Sequence, residues 1–279
     1  MYEIISKKSL GEGINLYCIS VPDVAFKALP GQFIILRVNK NGERVPITIA
    51  DTDKKNGTVT ILVQTLGKTT HMLSELNVGD SLADVVGPLG VPSETEKFGT
   101  VACIGGGFGI AAIYPIARAL KESGNHVISI IGARSKELLL MEDEMRSASS
   151  EILIATNDGS YGTKGIVTDV LRHLIYEKNI HIDRVVAIGP VIMMKAVSDL
   201  TRERSIKTLV SLNPIMIDGT GMCGACRVLV DKKTKFACVD GPDFDGHLVD
   251  FDNLMNRLKF YKDEEKASYE CHMKQHHNV

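Results

Sequence analysis

The rhythm of apolar positions along the chain changes twice, dividing it into three parts. Over residues 1–97 apolar side chains alternate with polar ones in short runs, and residues 14–20, 32–38, 46–50, 58–64 and 81–86 are predicted strands. The breaks between them carry the turn pairs Pro30-Gly31, Asn41-Gly42, Asn56-Gly57 and Gly79-Asp80. Many short strands with such turns predict a small antiparallel β-barrel.

Over residues 98–213 the period lengthens. Strand-like runs at 101–104, 126–132, 151–155, 184–188 and 208–212 alternate with helical patterns at 109–122, 135–146, 163–178 and 191–204. Strict β/α alternation predicts a doubly wound parallel sheet with right-handed crossovers. From 214 to 279 the chain is first rich in Gly, Asp and Cys, then charged. One helix is predicted over 252–262, because Leu254, Leu258 and Tyr261 share a face. After it a frayed tail is expected, ending in solvated His276, His277 and Asn278.

Composition narrows the function classes. The 279 residues are 44% hydrophobic and 24% charged, as in a folded globular chain of two domains and an appendage. The net charge is −2 and no Lys/Arg run forms a stripe, which argues against DNA or RNA as partner. The longest apolar stretch, residues 101–117, is broken by four glycines and Pro115, so it predicts strand, loop and helix rather than a membrane span. The opening MYEIISKKSL lacks the apolar core of a signal peptide, and a reducing cytoplasm is the expected location. Cysteines then serve as thiols or metal ligands. Cys18 and Cys103 lie in apolar strand-like runs and read as small core residues.

Cys223, Cys226 and Cys238 carry the strongest chemical signal. A plant-type 2Fe–2S cluster takes Cys-x4-Cys-x2-Cys and a more distant ligand. Here the register is Asp218-x4-Cys223-x2-Cys226-x11-Cys238, with Asp at the first position. A carboxylate oxygen can ligate ferric iron, which makes Asp218 the candidate fourth ligand; an ordinary Asp-Gly turn is the plainer alternative. Gly221 and Gly224 leave room for backbone amides near the sulfides. Structural zinc prefers two close ligand pairs, whereas this segment has one and no His lies between residues 182 and 246.

Gly105, Gly106, Gly107 and Gly109 follow a predicted strand and open a predicted helix, the setting in which backbone can approach a pyrophosphate. The pattern departs from G-x-G-x-x-G because position 110 is Ile. Asp158 and Gly159 follow the third strand of the sheet and Gly189-Pro190 the fourth, at the carboxyl edge where such sheets bind ligands. Arg134 leaves the choice between NAD and NADP open. In the barrel, Arg44, Val45, Pro46, Ile47 and Thr48, then Gln64, Gly67, Thr69 and Thr70, are the candidate contacts for FAD, with the Thr48 hydroxyl near the reactive flavin nitrogen.

In this order the motifs resemble the ferredoxin–NADP reductase superfamily. They are PGQF at 30–33, VPIT at 45–48, GKTT at 67–70, GPLG at 87–90, GGGFG at 105–109, GARS at 132–135, DGSYG at 158–162, GPVIMMKAV at 189–197, DGTGMCGACRV at 218–228 and FACVDGP at 236–242. Within the superfamily the chain is similar to dihydroorotate dehydrogenase electron-transfer subunits, and more so to the small subunit of electron-bifurcating NADH-dependent reduced ferredoxin:NADP oxidoreductase. Asp218 in place of a cysteine and the tail DGHLVDFDNLMNRLKFY at 245–261 favour the second. One departure is local: with Thr48 aligned to the family's Ser, Ile47 fills the slot of the ring-stacking Tyr and Arg44 falls one place outside the usual Arg.

The resemblance implies an FAD-binding barrel at 1–97, an NAD-binding Rossmann-like unit at 98–213 and a 2Fe–2S segment with C-terminal helix at 214–279. It implies an oxidoreductase subunit, with no acid–base catalytic residues of its own, that passes electrons between NAD(H), FAD and the cluster. The implied partner is a larger subunit with a second FAD and 4Fe–4S clusters, in a heterodimer or higher assembly, with ferredoxin reached through it. The electron-transfer subunit of a dihydroorotate or sulfide dehydrogenase is the alternative, and a non-catalytic zinc and nucleotide-binding regulator the reading from another class. Protein purified without air should be brown-yellow and contain iron and acid-labile sulfide; a colourless zinc protein would leave only the regulator.

Overall fold

A computed structural model describes residues 2–276; the expectations for His277, Asn278 and the His276 side chain lie outside what it describes. The chain runs β1 (Tyr2–Gly11), β2 (Ile14–Ser20), α1 (Pro22–Lys27), β3 (Phe33–Arg37), β4 (Val45–Thr48), β5 (Asp51–Asp53), β6 (Thr58–Gln64), α2 (Lys68–Glu75), β7 (Ser81–Leu82) and β8 (Asp84–Leu89). These form two antiparallel sheets, β5-β6-β2-β1-β7 and β4-β3-β8, and the break at Ala83 passes the chain from one to the other. Ile4, Tyr17, Ile19, Ile34, Leu36 and Ile61 fill the space between them. Helix α2 plugs one end with Leu73, whose carbonyl accepts from the Tyr17 hydroxyl at 3.2 Å.

Next come β9 (Thr100–Gly106), α3 (Gly109–Glu122), β10 (His126–Ala133), α4 (Glu142–Ala148), β11 (Glu151–Thr156), β12 (Thr163–Lys164), α5 (Val167–Arg172), β13 (Arg184–Ile188), α6 (Val191–Arg202) and β14 (Lys207–Ser211). The last part holds β15 (Arg227–Val230), β16 (Lys233–Phe236), α7 (Ala237–Asp240), β17 (Asp243–Asp245), α8 (Phe251–Arg257) and α9 (Lys262–His276). The large sheet has the order β12-β11-β10-β9-β13-β14-β17. Every pair in it is parallel except the last: β17 comes from the cysteine-rich segment and adds antiparallel to β14. The expected all-parallel sheet is thus closed by a strand from beyond it.

Helix α3 shows why these elements form. Ile110, Ile113, Ile116, Ala117 and Leu120 recur at helical spacing and are all buried against the sheet. Its first residue, Gly109, packs directly on the end of β13, where a Cβ would overlap the Ile188 carbonyl oxygen. A Cβ on Gly105 would press on Ile110 Cα at 3.0 Å, and one on Gly106 would strike the Met193 sulfur. Gly107 differs: its φ is +55°, and a Cβ there would meet nothing within 4 Å.

Four expectations needed correction. The helix expected at 135–146 is a 3₁₀ turn over Lys136–Leu138 and then α4, joined through Met141 at φ 52°. Buried Leu140 is drawn out of helical register to pack on Ile14, Ala50 and Leu62 of the barrel. The helix expected from 163 begins as the short edge strand β12 and starts only at Val167, after Gly165 at φ +139°. The helix expected to reach 262 stops at Arg257, and Tyr261 sits exposed in a left-handed conformation. The tail expected to fray is α9, whose Lys, Glu and Ala residues favour helix and whose first turn carries Asp263, Glu264 and Glu265.

The glycine contacts predict a graded response to substitution. Gly109→Ala should lower stability by about 1–3 kcal/mol through overpacking, and Gly107→Ala by about 1–2 kcal/mol through backbone strain alone. Thermal melts should show that Gly109→Ala also loosens β13, as faster amide exchange at Ala187 and Ile188, while Gly107→Ala does not.

Candidate functional site

Where the barrel meets the carboxyl edge of the large sheet lies a cavity of about 280 Å³. Phe33, Pro46, Ile47 and Thr48 line one side, and Ile188, Pro214 and Met216 the other. A slot with apolar side chains on both walls and hydroxyls among its lining, here Thr48 and Ser211, fits a flat aromatic ring system. Of the residues expected to hold FAD, Pro46, Ile47 and Thr48 meet in this cavity. Val45 instead packs on the barrel core, and Gln64 ends β6 paired with Ile14, outside the lining.

Gly67, Thr69 and Thr70 gather at the start of α2. The Thr70 hydroxyl accepts from the amides of Leu66 and Gly67 at 2.9 and 3.0 Å, which shapes the turn. Helix starts leave N–H groups without intrahelical partners, and a Cβ on Gly67 would meet only open space. That arrangement fits a pyrophosphate. The Thr69 hydroxyl, however, donates to Glu43 at 3.0 Å, so here it serves the barrel loop rather than a ligand.

The carboxyl ends of β9, β10, β11, β13 and β14 share one edge, and the strand order reverses direction at β9, between β10 and β13. Gly107 sits at that switch point, the expected place for a nucleotide. Gly105, Gly106 and Gly109 are committed to packing, as their contacts show; only Gly107 opens onto free space. At the end of β11, two strands along the same edge, Asp158 accepts from the Ser160 hydroxyl and amide at 2.7 and 2.9 Å, which hold its carboxyl below the usual carboxylate range. Ser160 in turn accepts from the Lys136 amide at 2.9 Å, tying the loops after β10 and β11 together. Gly159, at φ +78°, makes the turn between them, and Arg134 is exposed.

The cysteine-rich loop lies on the outer face of β3. Asp218 Oδ1 accepts from the Thr220 amide at 2.8 Å and Oδ2 from the Cys223 amide at 2.7 Å. The Thr220 amide, then that of Cys223, hold this carboxyl below its usual range, so it is an anion at neutral pH. The Cys226 and Cys238 sulfurs face each other at 3.1 Å, unbonded and buried, while Cys223 is exposed. Burial, then contact with Cys226, pushes the Cys238 thiol up to about 12. Two buried sulfurs and a carboxylate already charged make a donor set that fits a bound metal cluster, whose binding would displace the thiol protons.

A second cavity, about 550 Å³ and more open, is lined by Ile35, Arg44, Val86, Asp218, Thr220 and Cys223. Arg44 therefore faces the cysteine-rich loop and is absent from the Phe33–Thr48 cavity. Phe33 lines one cavity and Ile35 the other, two residues along the same face of β3, a separation of roughly 7 Å. Met216 and Asp218 repeat the relation on the segment opposite. The two candidate sites are neighbours.

The sequence reading missed the residues after β14. Ser211, Asn213, Pro214 and Met216 all line the first cavity, and they could have been found because β14 ends at the same carboxyl edge. It also missed Asp243 on β17. This carboxyl is deeply buried; Oδ2 accepts from the Ser93 hydroxyl at 2.5 Å, and Oδ1 finds no hydrogen-bond partner among the described residues. Burial raises its pKa against the lowering effect of Ser93 and Ser211.

Comparison with known proteins bears on the whole chain. Residues 1–92 match an oxidoreductase FAD-binding domain, and residues 213–250 match the iron–sulfur cluster binding domain of dihydroorotate dehydrogenase B. A Thermotoga maritima protein described as a dihydroorotate dehydrogenase B (NAD(+)) electron transfer subunit homolog is 50% identical over 98% of this chain and 95% of its own. The Fusobacterium nucleatum electron transfer subunit is 36% identical over 76% of this chain and 83% of its own. The chain belongs to the dihydroorotate dehydrogenase B electron transfer subunit family. A chain from the structure of NADH-dependent reduced ferredoxin–NADP oxidoreductase, a study of flavin-based electron bifurcation, superposes with a TM-score of 0.93 at 47% identity, covering 98% of both chains. The family is one of iron–sulfur flavoprotein oxidoreductases, and an electron transfer subunit works with a partner subunit. Among the described residues no helix is long and apolar enough to cross a membrane.

The buried carboxyl predicts a pH signature. Its folded pKa lies above the unfolded value of about 3.9, so it favours the fold below that pH and loses this contribution as pH rises through the folded value. Asp243→Asn cannot ionise. Its melting temperature relative to the parent should therefore climb as pH rises above about 4 and level off once the parent's folded carboxyl has ionised; a constant difference would show that the carboxyl is solvated in the fold.

Proposed function

We propose that this chain is the small electron-transfer subunit of an electron-bifurcating NADH-dependent ferredoxin–NADP oxidoreductase, passing electrons between NAD(H), FAD and a 2Fe–2S cluster. The observation that carries it is the adjacency of the two cavities across Phe33 and Ile35, which would set flavin and cluster side by side on one strand. A flavin exchanges hydride with a nicotinamide and single electrons with an iron–sulfur centre, which is why it belongs between them.

The residues divide the work as follows. Phe33, Pro46 and Ile47 would exclude water from the ring slot, and the Thr48 hydroxyl would hydrogen-bond the ring's reactive edge. The turn at Gly67–Thr70 would receive the FAD pyrophosphate. Gly107 at the switch point, with Asp158 and Gly159 two strands along at the end of β11, would receive the nicotinamide nucleotide. Asp218, Cys223, Cys226 and Cys238 would hold the cluster. We assign the FAD unit to residues 1–97, the NAD unit to 98–213 and the cluster segment with its helices to 214–279.

The exposed side of the cysteine-rich loop, with Met222 and Cys223 both exposed, is the natural face for a larger subunit carrying a second FAD and 4Fe–4S clusters, through which ferredoxin would be reached. The likeness to the oxidoreductase chain over nearly full length favours this reading over a dihydroorotate dehydrogenase partner. So does an aspartate at the first ligand position.

Ligation by Asp218 separates from its role in shaping the loop. Asp218→Ala should lower cluster retention by about 10–100-fold. Asp218→Cys should keep a 2Fe–2S cluster with altered visible and electron paramagnetic resonance spectra. An Asp218→Ala protein with the parent's spectrum would remove Asp218 from the ligand set. NADH added to the parent under argon should bleach the flavin and then the cluster absorbance.

A further inference from the structure

Far from the cysteine-rich loop in sequence and sharing no residue with it, two helices bring a second set of metal donors together. His71 and Glu75 are one helical turn apart on α2, and His272 reaches them from α9. One donor atom from each lies within 4.8 Å of the others. Three donors at zinc bond lengths of about 2.0–2.1 Å stand roughly 3.4 Å apart. Side-chain adjustments of an ångström or so, with the exposed Glu75 moving furthest, would close the set.

The surroundings point to a ligand. His71 Nδ1 is buried and makes no hydrogen bond among the described residues; Glu75 Oε1 stands 3.7 Å from it, beyond hydrogen-bond reach. The His71 ring meets the His272 ring edge-on, at 5.6 Å between centroids and 77°, with Tyr269 at 6.0 Å. His272 is buried at 8% exposure, although the side chains before it on α9 are mostly exposed. A polar helix is thus docked on the barrel through an imidazole pair and a carboxylate, where apolar packing would be the ordinary means.

We propose that His71, Glu75 and His272 bind a divalent transition ion of the zinc type, with water completing the coordination. Two imidazoles and one carboxylate suit such an ion, and the thiolate-rich loop supplies a different chemistry for the cluster. The ion pins α9 to α2 at the residue directly after the Gly67–Thr70 turn, so it also steadies that turn.

The test uses the full chain loaded with FAD and cluster, so that the thiols are occupied, after dialysis against a chelator. Titration with Co²⁺ should give one equivalent bound, with the d–d absorption of a four- or five-coordinate ion, displaced by Zn²⁺. His71→Ala and His272→Ala should each weaken binding at least tenfold, and Glu75→Gln severalfold, with flavin and iron content unchanged. A His276→Ala/His277→Ala variant should bind as the parent does. Absence of Co²⁺ binding, parental affinity in His71→Ala and Glu75→Gln, or loss confined to the His276/His277 variant would each overturn the site. If His272→Ala fails to fold, Glu75→Gln decides, since it keeps the size of the side chain and removes the charge.

Discussion

The arrangement rests on a close approach between the cysteine-rich loop and the barrel. Gly219 lies at φ +76°, and a Cβ there would come within 2.7 Å of both Ile35 and Leu89. With no side chain in the way, the loop lies flat on β3 and β8, and Asp218 and Cys223 fall beside the wall of the ring slot. Any larger residue would push the loop outward and part the two cavities. Backbone bonds keep it seated from both sides: Val91 donates to the Gly241 carbonyl at 2.6 Å, and Leu212 to that of Pro242 at 2.9 Å.

This junction also explains why β17 joins the large sheet. Pairing with β14 anchors the far end of the cysteine-rich segment to the large sheet, while Gly219 fixes its near end to the barrel. The segment is therefore held at two points, and the loop between them inherits its position from both bodies. Asp243 is buried by the same closure. Its bond to Ser93 joins β17 to the stretch leading out of the barrel, at the expense of a carboxyl kept from water.

Much of this was legible because the responsible signals are local. Turn pairs, β/α alternation and the spacing of Cys223, Cys226 and Cys238 each depend on a few neighbouring residues. What stayed hidden depends on tertiary contact. β1 shows no clear alternation because Ile4 is its one buried side chain. Leu140 leaves helical register for the barrel, and α9 has a polar sequence that gives no sign of its contact with α2. The glycine motif was found, but only coordinates separate Gly107, which opens on space, from Gly105, Gly106 and Gly109, which are there for packing. Likewise the sequence places Asp218 in register with Cys223, Cys226 and Cys238, while the fold adds that its oxygens already organise the loop.

Strand β3 presents Ile34 and Leu36 to the barrel interior, and Phe33 and Ile35 to the opposite side. It acts as a ruler with divisions of one pleat. A single-residue insertion or deletion would turn the barrel's own filling outward, so the gap between the two cavities can change only in whole pleat steps. In the proposed arrangement the hop between flavin and cluster is therefore set by this strand and not by the loops around it.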